Sequence, residues 1–160
     1  MSIVGGLDIH RNQLTFDWAD KDSGRWERGR IAPADREHLA RWLTQFDAGA
    51  RVAFALEGCT GPYEWRYVVD EMTKVGVQPH LAEPADTAAL RGPKRRAKSD
   101  RTDARHLREL LDVGMLPECY VPPDRVLEWR ATLELYSDPA PHHPDAAHAA
   151  AAAGCHCPTP

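Results

Sequence analysis

No run of apolar residues in this sequence approaches the roughly 20 needed to span a bilayer, and Met1 to Asp8 lack the basic segment and long apolar stretch of a secretory signal. These two absences lead to the expectation of a cytoplasmic protein without membrane association. Cysteine is sparse as well. Cys59 and Cys119 stand far apart without metal-type spacing, and Cys155 and Cys157 fall in an unusual tail, so no disulfide framework can be read and reduced thiols are expected. At 42% hydrophobic and 28% charged residues, the composition excludes wholesale disorder and fibrous classes. A chain of 160 residues suits one domain that buries its core without disulfides or metal staples.

The last 24 residues, from Ser137 on, contain no Lys, Arg, Glu, Leu, Ile or Val, and instead hold 8 Ala, 5 Pro and 4 His. Such a segment contributes little to a packed core. A helical pattern through Leu133 and Leu135 stops at Ser137-Asp138-Pro139, as expected of a high-GC gene read out of frame. The expected organisation is a domain over 1–116, the start of an interrupted helical region over 117–136, and a disordered tail over 137–160, read as frameshifted with a native in-frame extension as the alternative. Cys155-His156-Cys157 with His142 and His143 make a weak metal candidate, because nothing fixes tetrahedral spacing.

The charge is unevenly placed. From Arg91 to Arg108 eight basic residues stand against Asp100 and Asp103, a local +6 in a chain of net charge −4, which leaves −10 elsewhere. One concentrated basic segment on an acidic body points to a polyanion partner.

The apolar run Ile3 to Ile9, the turn His10-Arg11-Asn12, and Leu14, Phe16 and Trp18 alternating with polar residues predict a hairpin. Arg25 to Ile31 supplies a third strand after a second turn cluster. Pro33 with Leu39, Trp42, Leu43 and Phe46 at helical spacing predicts a helix ending near Asp47 to Gly49. Val52 to Leu56, running into Glu57, has the continuous apolar character of a strand buried on both faces, placed beside the first. A helix over Tyr63 to Val75 and a fifth strand over Val77 to Leu81 follow. Pro84 to Lys98 is read as a short helix and a mobile basic loop, Arg101 to Leu111 as a helix, and the region after Pro122-Pro123 as another through Leu133. The order β-β-β-α-β-α-β predicts an α/β, ribonuclease H-like mixed five-stranded sheet flanked by helices, with a C-terminal helical extension. An actin-like ATPase half-domain has nearly the same order.

Asp8 and Glu57 end two strands expected to be neighbours, about 4.8 Å apart, within reach of one divalent ion. Asp100 and Asp103, three apart at a helix start, share a side of that helix and complete an acidic cluster. Two hard cations held by such carboxylates stabilise the attacking and leaving oxygens of an in-line phosphoryl displacement. Each element also has a plainer reading. Asp8 before a turn bonds backbone amides, Glu57 is a solvated strand end, Asp100 with Asp103 caps a helix, and the basic run is a solvated loop. The case rests on their combination and order.

Four blocks carry a family resemblance: Gly6-Leu7-Asp8-Ile9-His10, Ala55-Leu56-Glu57-Gly58-Cys59-Thr60-Gly61, Lys94 to Arg105, and Leu107 to Leu116. The third is the most specific, a basic run leading into Lys-x-Asp-x-x-Asp-Ala-Arg. From about Ile3 to Tyr136 the sequence resembles the DEDD transposases of the insertion-sequence 110 group. That resemblance implies a RuvC-like domain in which Asp8, Glu57, Asp100 and Asp103 are catalytic and bind Mg²⁺ or Mn²⁺. It also implies partners: mobile-element and target DNA, a structured guide RNA, and further copies of the chain in a homo-oligomer. By charge, Lys94, Arg95, Arg96, Lys98, Arg101 and Arg105 are the candidate nucleic-acid contacts. In this family a long helical region and a second, serine-bearing domain follow the catalytic domain. The expectation is therefore the N-terminal catalytic domain of a transposase, truncated and inactive in recombination by itself. The alternative is a non-catalytic nucleic-acid-binding or inhibitory fragment. An actin-like ATPase ranks last, since Asp8-Ile9-His10-Arg11-Asn12 lacks the Gly and Ser/Thr residues of a phosphate-cradling turn.

Overall fold

A computed structural model describes residues 2–46, 49–57, 65–91 and 100–121, and then 123, 125, 126, 128, 129, 132 and 133. The first unit, Met1–Val121, is built on strands β1 (Ser2–His10), β2 (Gln13–Asp20), β3 (Trp26–Ile31), β4 (Arg51–Glu57) and β5 (Gln78–Ala82). They form one sheet in the order β3-β2-β1-β4-β5. β1 pairs antiparallel with β2, closing a hairpin at His10↔Gln13, and parallel with β4 from Ser2↔Arg51 to Leu7↔Leu56. The helices are α1 (Arg36–Leu43), α2 (Arg66–Lys74), α3 (Pro84–Ala89) and α4 (Asp100–Asp112).

The two faces of β1 are separated by adjacent glycines. A β-carbon on Gly5 would enter the ring of Phe54, its partner across the β1–β4 pair. On that face Phe16, Trp42, Phe46 and Phe54 pack edge to face or tilted at centroid distances of 4.7 to 5.6 Å, geometries that aromatic quadrupoles favour. Helix α1 supplies Trp42 and buries Leu39 and Leu43; α2 buries Val68, Val69 and Met72. On the opposite face α4 lies directly over β1. A β-carbon on Gly6 would collide with the carbonyl oxygen of Ala104 and stand 2.7 Å from the amide nitrogen of Arg108. Leu107 of α4 packs with Ala55 and Ala82, bordered by Leu111 and Leu116.

Helix α1 ends earlier than its apolar spacing suggests. Asp35 caps its first turn by accepting a 2.8 Å bond from the His38 amide, and the helix closes at Leu43 with Thr44 as C-cap. Phe46 still joins the aromatic cluster from the turn that follows. The other elements predicted up to Leu111 form within a few residues of their expected limits among the described residues, and the basic loop over 92–98 lies outside them.

A buried ionic junction ties α4 to the sheet. Asp17 on β2 is 2% exposed. One of its carboxylate oxygens accepts from Arg28 of β3 (2.7 Å) and the other from Arg108 of α4 (2.6 Å). In the second unit, Pro122–Pro160, the described residues from Arg125 to Leu133 are helical, and the Arg125 guanidinium lies 5.0 Å from the centre of the Trp129 ring. The predicted tail over 137–160 lies outside the described residues. Among those described, no helix is long and apolar enough to cross a membrane.

Candidate acidic site at the carboxyl ends of β1 and β4

Asp8 and Glu57 follow directly on the paired residues Leu7 and Leu56, so the two carboxylates stand in step on neighbouring parallel strands, both half-buried. The close approach of α4 at Gly6 brings the first turn of that helix to the same sheet end. That turn carries Asp100 and Asp103. The four acids predicted from the sequence are therefore brought near one another, and their charges act on one carboxyl. Burial, then the negative charges of Asp100, Asp103 and Glu57, push the Asp8 carboxyl up to about 6, with His10 opposing. Burial and like charge both disfavour the ionised form.

The acids do not stand alone. Asp103, 4% exposed, accepts a 2.6 Å bond from Nη1 of Arg91, whose Nη2 lies 3.5 Å from Glu57. The same guanidinium thus spans two of the four carboxylates, while its buried Nε has no hydrogen-bond partner among the described residues. Asp100 accepts from the Gln13 side-chain amide (3.1 Å), whose oxygen accepts in turn from Arg30 (3.4 Å). Among the described residues, no group of three or more His, Cys, Asp or Glu is arranged to hold a metal ion. The donor chemistry nonetheless suits a hard divalent cation, since the acids supply only oxygen ligands. With Arg91 in contact with both Glu57 and Asp103, a cation using those two oxygens would take over part of the arginine's role.

Arg91 and Gln13 were missed as site residues in the sequence. Arg91 entered only as one charge of the basic segment, and Gln13 as the start of a strand. Of the candidate nucleic-acid contacts, Lys94, Arg95, Arg96 and Lys98 lie outside the described residues. Arg101 is exposed in the first turn of α4. Arg105 is also exposed and is paired with Glu109 at 2.7 Å. Cys119 is a free thiol, pushed up by burial and by the nearby Glu83 and Glu118 charges; Cys59, Cys155 and Cys157 lie outside the described residues.

No protein-family model matches this sequence, and no curated protein matches it significantly. Among solved structures, similarity is found to the ethanolamine utilization protein EutJ from Carboxydothermus hydrogenoformans, at 14% identity and a TM-score of 0.36, over 57% of this chain and 40% of that one. The expectation of a ribonuclease H-like, RuvC-like fold is corrected to the coarser architecture that the structure itself shows. What stands is a mixed five-stranded α/β sheet flanked by helices. Ribonuclease H-like and actin-like sheets share the order β-β-β-α-β-α-β, so hydrophobic periodicity has no means of choosing between them. A likeness this distant carries no argument about activity.

Proposed function

We propose that this chain acts in DNA transposition as a metal-dependent phosphoryl-transfer domain, with Asp8, Glu57, Asp100 and Asp103 as the carboxylates that hold Mg²⁺ or Mn²⁺. The reading is supported chiefly by one placement: Asp8 and Glu57 stand in step at the ends of paired strands, and the helix that crosses Gly6 begins with Asp100 and Asp103, acids up to 95 residues apart in the sequence. Helix capping accounts for Asp100 and Asp103 singly, but not for their lying at the same sheet end as Asp8 and Glu57. When bound, a hard divalent ion would supply charge stabilisation for the attacking and leaving oxygens of a phosphodiester. The chain's own contribution is to hold the acids, to keep Asp8 half-buried, and to set with Arg91 how much of their charge is already neutralised. By the family resemblance, DNA and a structured RNA would be the partners.

The test is a Mn²⁺ titration of the whole chain followed by electron paramagnetic resonance. Binding is expected in the natural sequence and is expected to disappear in Asp8→Asn and Asp103→Asn, with circular dichroism unchanged. Normal affinity in both variants removes the proposal.

The contact of Arg91 with Glu57 and Asp103 favours a second reading, a non-catalytic nucleic-acid-binding module in which the arginine permanently satisfies the acids. Nucleic-acid binding that survives Asp8→Asn, weakens steeply with salt and depends on Arg95 and Arg96, in a chain that takes up no Mn²⁺, would favour it.

A further inference from the structure

On the edge strand β3 one alternating set of residues adds no apolar side chain to the core. Trp26, Arg28 and Arg30 are opposite Ala19, Asp17 and Thr15 on β2. Since Asp17 and Thr15 are in turn opposite Gly6 and Asp8 on β1, the β3 residues stand on the α4 face, the same face as the acidic site. Trp26 is 66% exposed, an unusual position for so large an apolar ring. Beside it runs a groove of about 360 Å³ lined by Trp26, Arg28, Arg105 and Arg108 over the floor residue Asp17. The three guanidiniums face two carboxylates, Asp17 and the Glu109 paired with Arg105, which leaves the groove cationic in a chain whose net charge is −4.

The groove leads towards the acids. Arg30, next in the alternation after Arg28, bonds Gln13, and Gln13 bonds Asp100. Residues two apart on a strand are about 6.7 Å apart, which suits cations that meet successive phosphates of an extended chain. An exposed aromatic beside spaced cations is the combination by which single strands are held without sequence preference, the bases stacking and the phosphates pairing.

We propose that the β3 edge is a track for single-stranded nucleic acid, with a base stacked on Trp26 and phosphates held by Arg28, Arg105 and Arg108, directing the strand past Arg30 and Gln13 to the acidic site. This deepens the reading above and rests on it for what happens at the end of the track. The anchoring of Arg28 and Arg108 by buried Asp17 matters here. Arginines already fixed on one side lose little side-chain freedom when a phosphate arrives. Acidic peptides would also be drawn to the cations but would have no flat base to place on the indole.

The experiment is fluorescence anisotropy of the whole chain with a labelled oligothymidylate, with Trp26→Ala and Arg105→Ala as variants; both side chains are exposed, so the fold is expected to survive. Trp26→Ala is expected to weaken binding about tenfold. Arg105→Ala is expected to weaken it and to reduce the slope of log affinity against log salt by about 0.7. Asp8→Asn is expected to leave the oligonucleotide bound. Unchanged affinity in both groove variants, with native circular dichroism, overturns the track, as does competition by an acidic peptide as strong as that by the oligonucleotide. If Mn²⁺ binding is absent while Trp26-dependent binding persists, the track stands without the catalytic reading. If Mn²⁺ binds through Asp8 but neither groove variant affects the oligonucleotide, the track alone falls.

Discussion

The carbonyl oxygen of Ala104 occupies the space that a side chain at position 6 would need, so helix α4 reaches β1 only because Gly6 has none. Since α4 begins with Asp100 and Asp103, this contact also sets how close those acids come to Asp8. Gly6→Ala is expected to force the helix away. Overpacking of this kind costs typically about 1 to 3 kcal/mol, to be read from urea denaturation. The displaced acids should also leave Asp8 titrating lower, closer to the ordinary value of 3.8, a shift that carbon-detected NMR of the Asp8 carboxyl would follow. Titration unchanged near 6 in a folded Gly6→Ala variant would show that the helix contact does not position the acids.

Asp8 itself gives stability a sign with pH. Its carboxyl is raised from 3.8 to about 6 in the folded protein, so the folded state holds the proton more tightly than the unfolded one. Below about 3.8 both states are protonated and the group contributes nothing. Between 3.8 and 6 the unfolded state ionises first and stability falls as pH rises; above 6 the full penalty remains. Asp8→Asn is therefore expected to raise the midpoint of denaturation at pH 8, by about 1 kcal/mol after allowance for solvent screening, and to change little at pH 3.5. Equal effects at the two pH values would place the origin in packing.

Divalent metal and proton compete for the same carboxylate. Mn²⁺ affinity is accordingly expected to rise through pH 5 to 7 and to level off above, with proton release on binding that shrinks over the same interval. Isothermal titration in two buffers of different ionisation enthalpy measures that release. An affinity independent of pH across this interval would separate the bound ion from Asp8.

Arg91 and a metal ion would compete for Glu57 and Asp103. Replacing the arginine by Met keeps the apolar stem and removes the charge. Arg91→Met is expected to destabilise the metal-free chain by about 1 to 3 kcal/mol while tightening Mn²⁺ binding several-fold, so that saturating Mn²⁺ restores much of the lost stability. Loss of stability without any gain in metal affinity would mark Arg91 as a permanent counter-ion and favour the non-catalytic reading.

Asp17 is nearly sealed and holds two arginines from different elements. Asp17→Asn leaves Arg28 and Arg108 without their anion and is expected to cost about 3 kcal/mol, more than any substitution at the exposed Glu37–Arg41 pair of α1. Comparison of the two by urea denaturation checks the ranking.

Much of where the candidate acids lie in the fold was legible because strand ends and helix starts leave periodic traces. The apolar runs into Asp8 and Glu57 end where the strands end, and the three-residue spacing of Asp100 and Asp103 sets them one above the other. What was not legible has no local signature. Asp17 reads as a polar position in an alternating strand, yet β2 is buried along both faces from Leu14 to Trp18 because α4 covers one of them. Arg91 finds Glu57 across 34 residues, and nothing in a basic run singles out the arginine that turns inward. The β3 alternation was visible only as weak apolar patterning, since its outward residues are Trp26, Arg28 and Arg30 rather than a hydrophobic stripe. Strand order alone does not name a family of sheet, because it is shared between architectures.

The two margins of the sheet are protected by different means. Along β5, the backbone from Pro117 to Cys119 accepts from Glu83, donates to Leu81 and bridges Ala82 through Glu118, so that margin is capped by the chain itself. Along β3 no such cover is found among the described residues, and charge takes its place: Arg25, Glu27, Arg28 and Arg30 occur within six residues. Alternating charges on an open edge discourage it from adding a strand of another molecule. Neutralising these arginines together would therefore invite sheet-to-sheet self-association, and the residues that draw in a polyanion are also those that keep the protein from polymerising along its own edge.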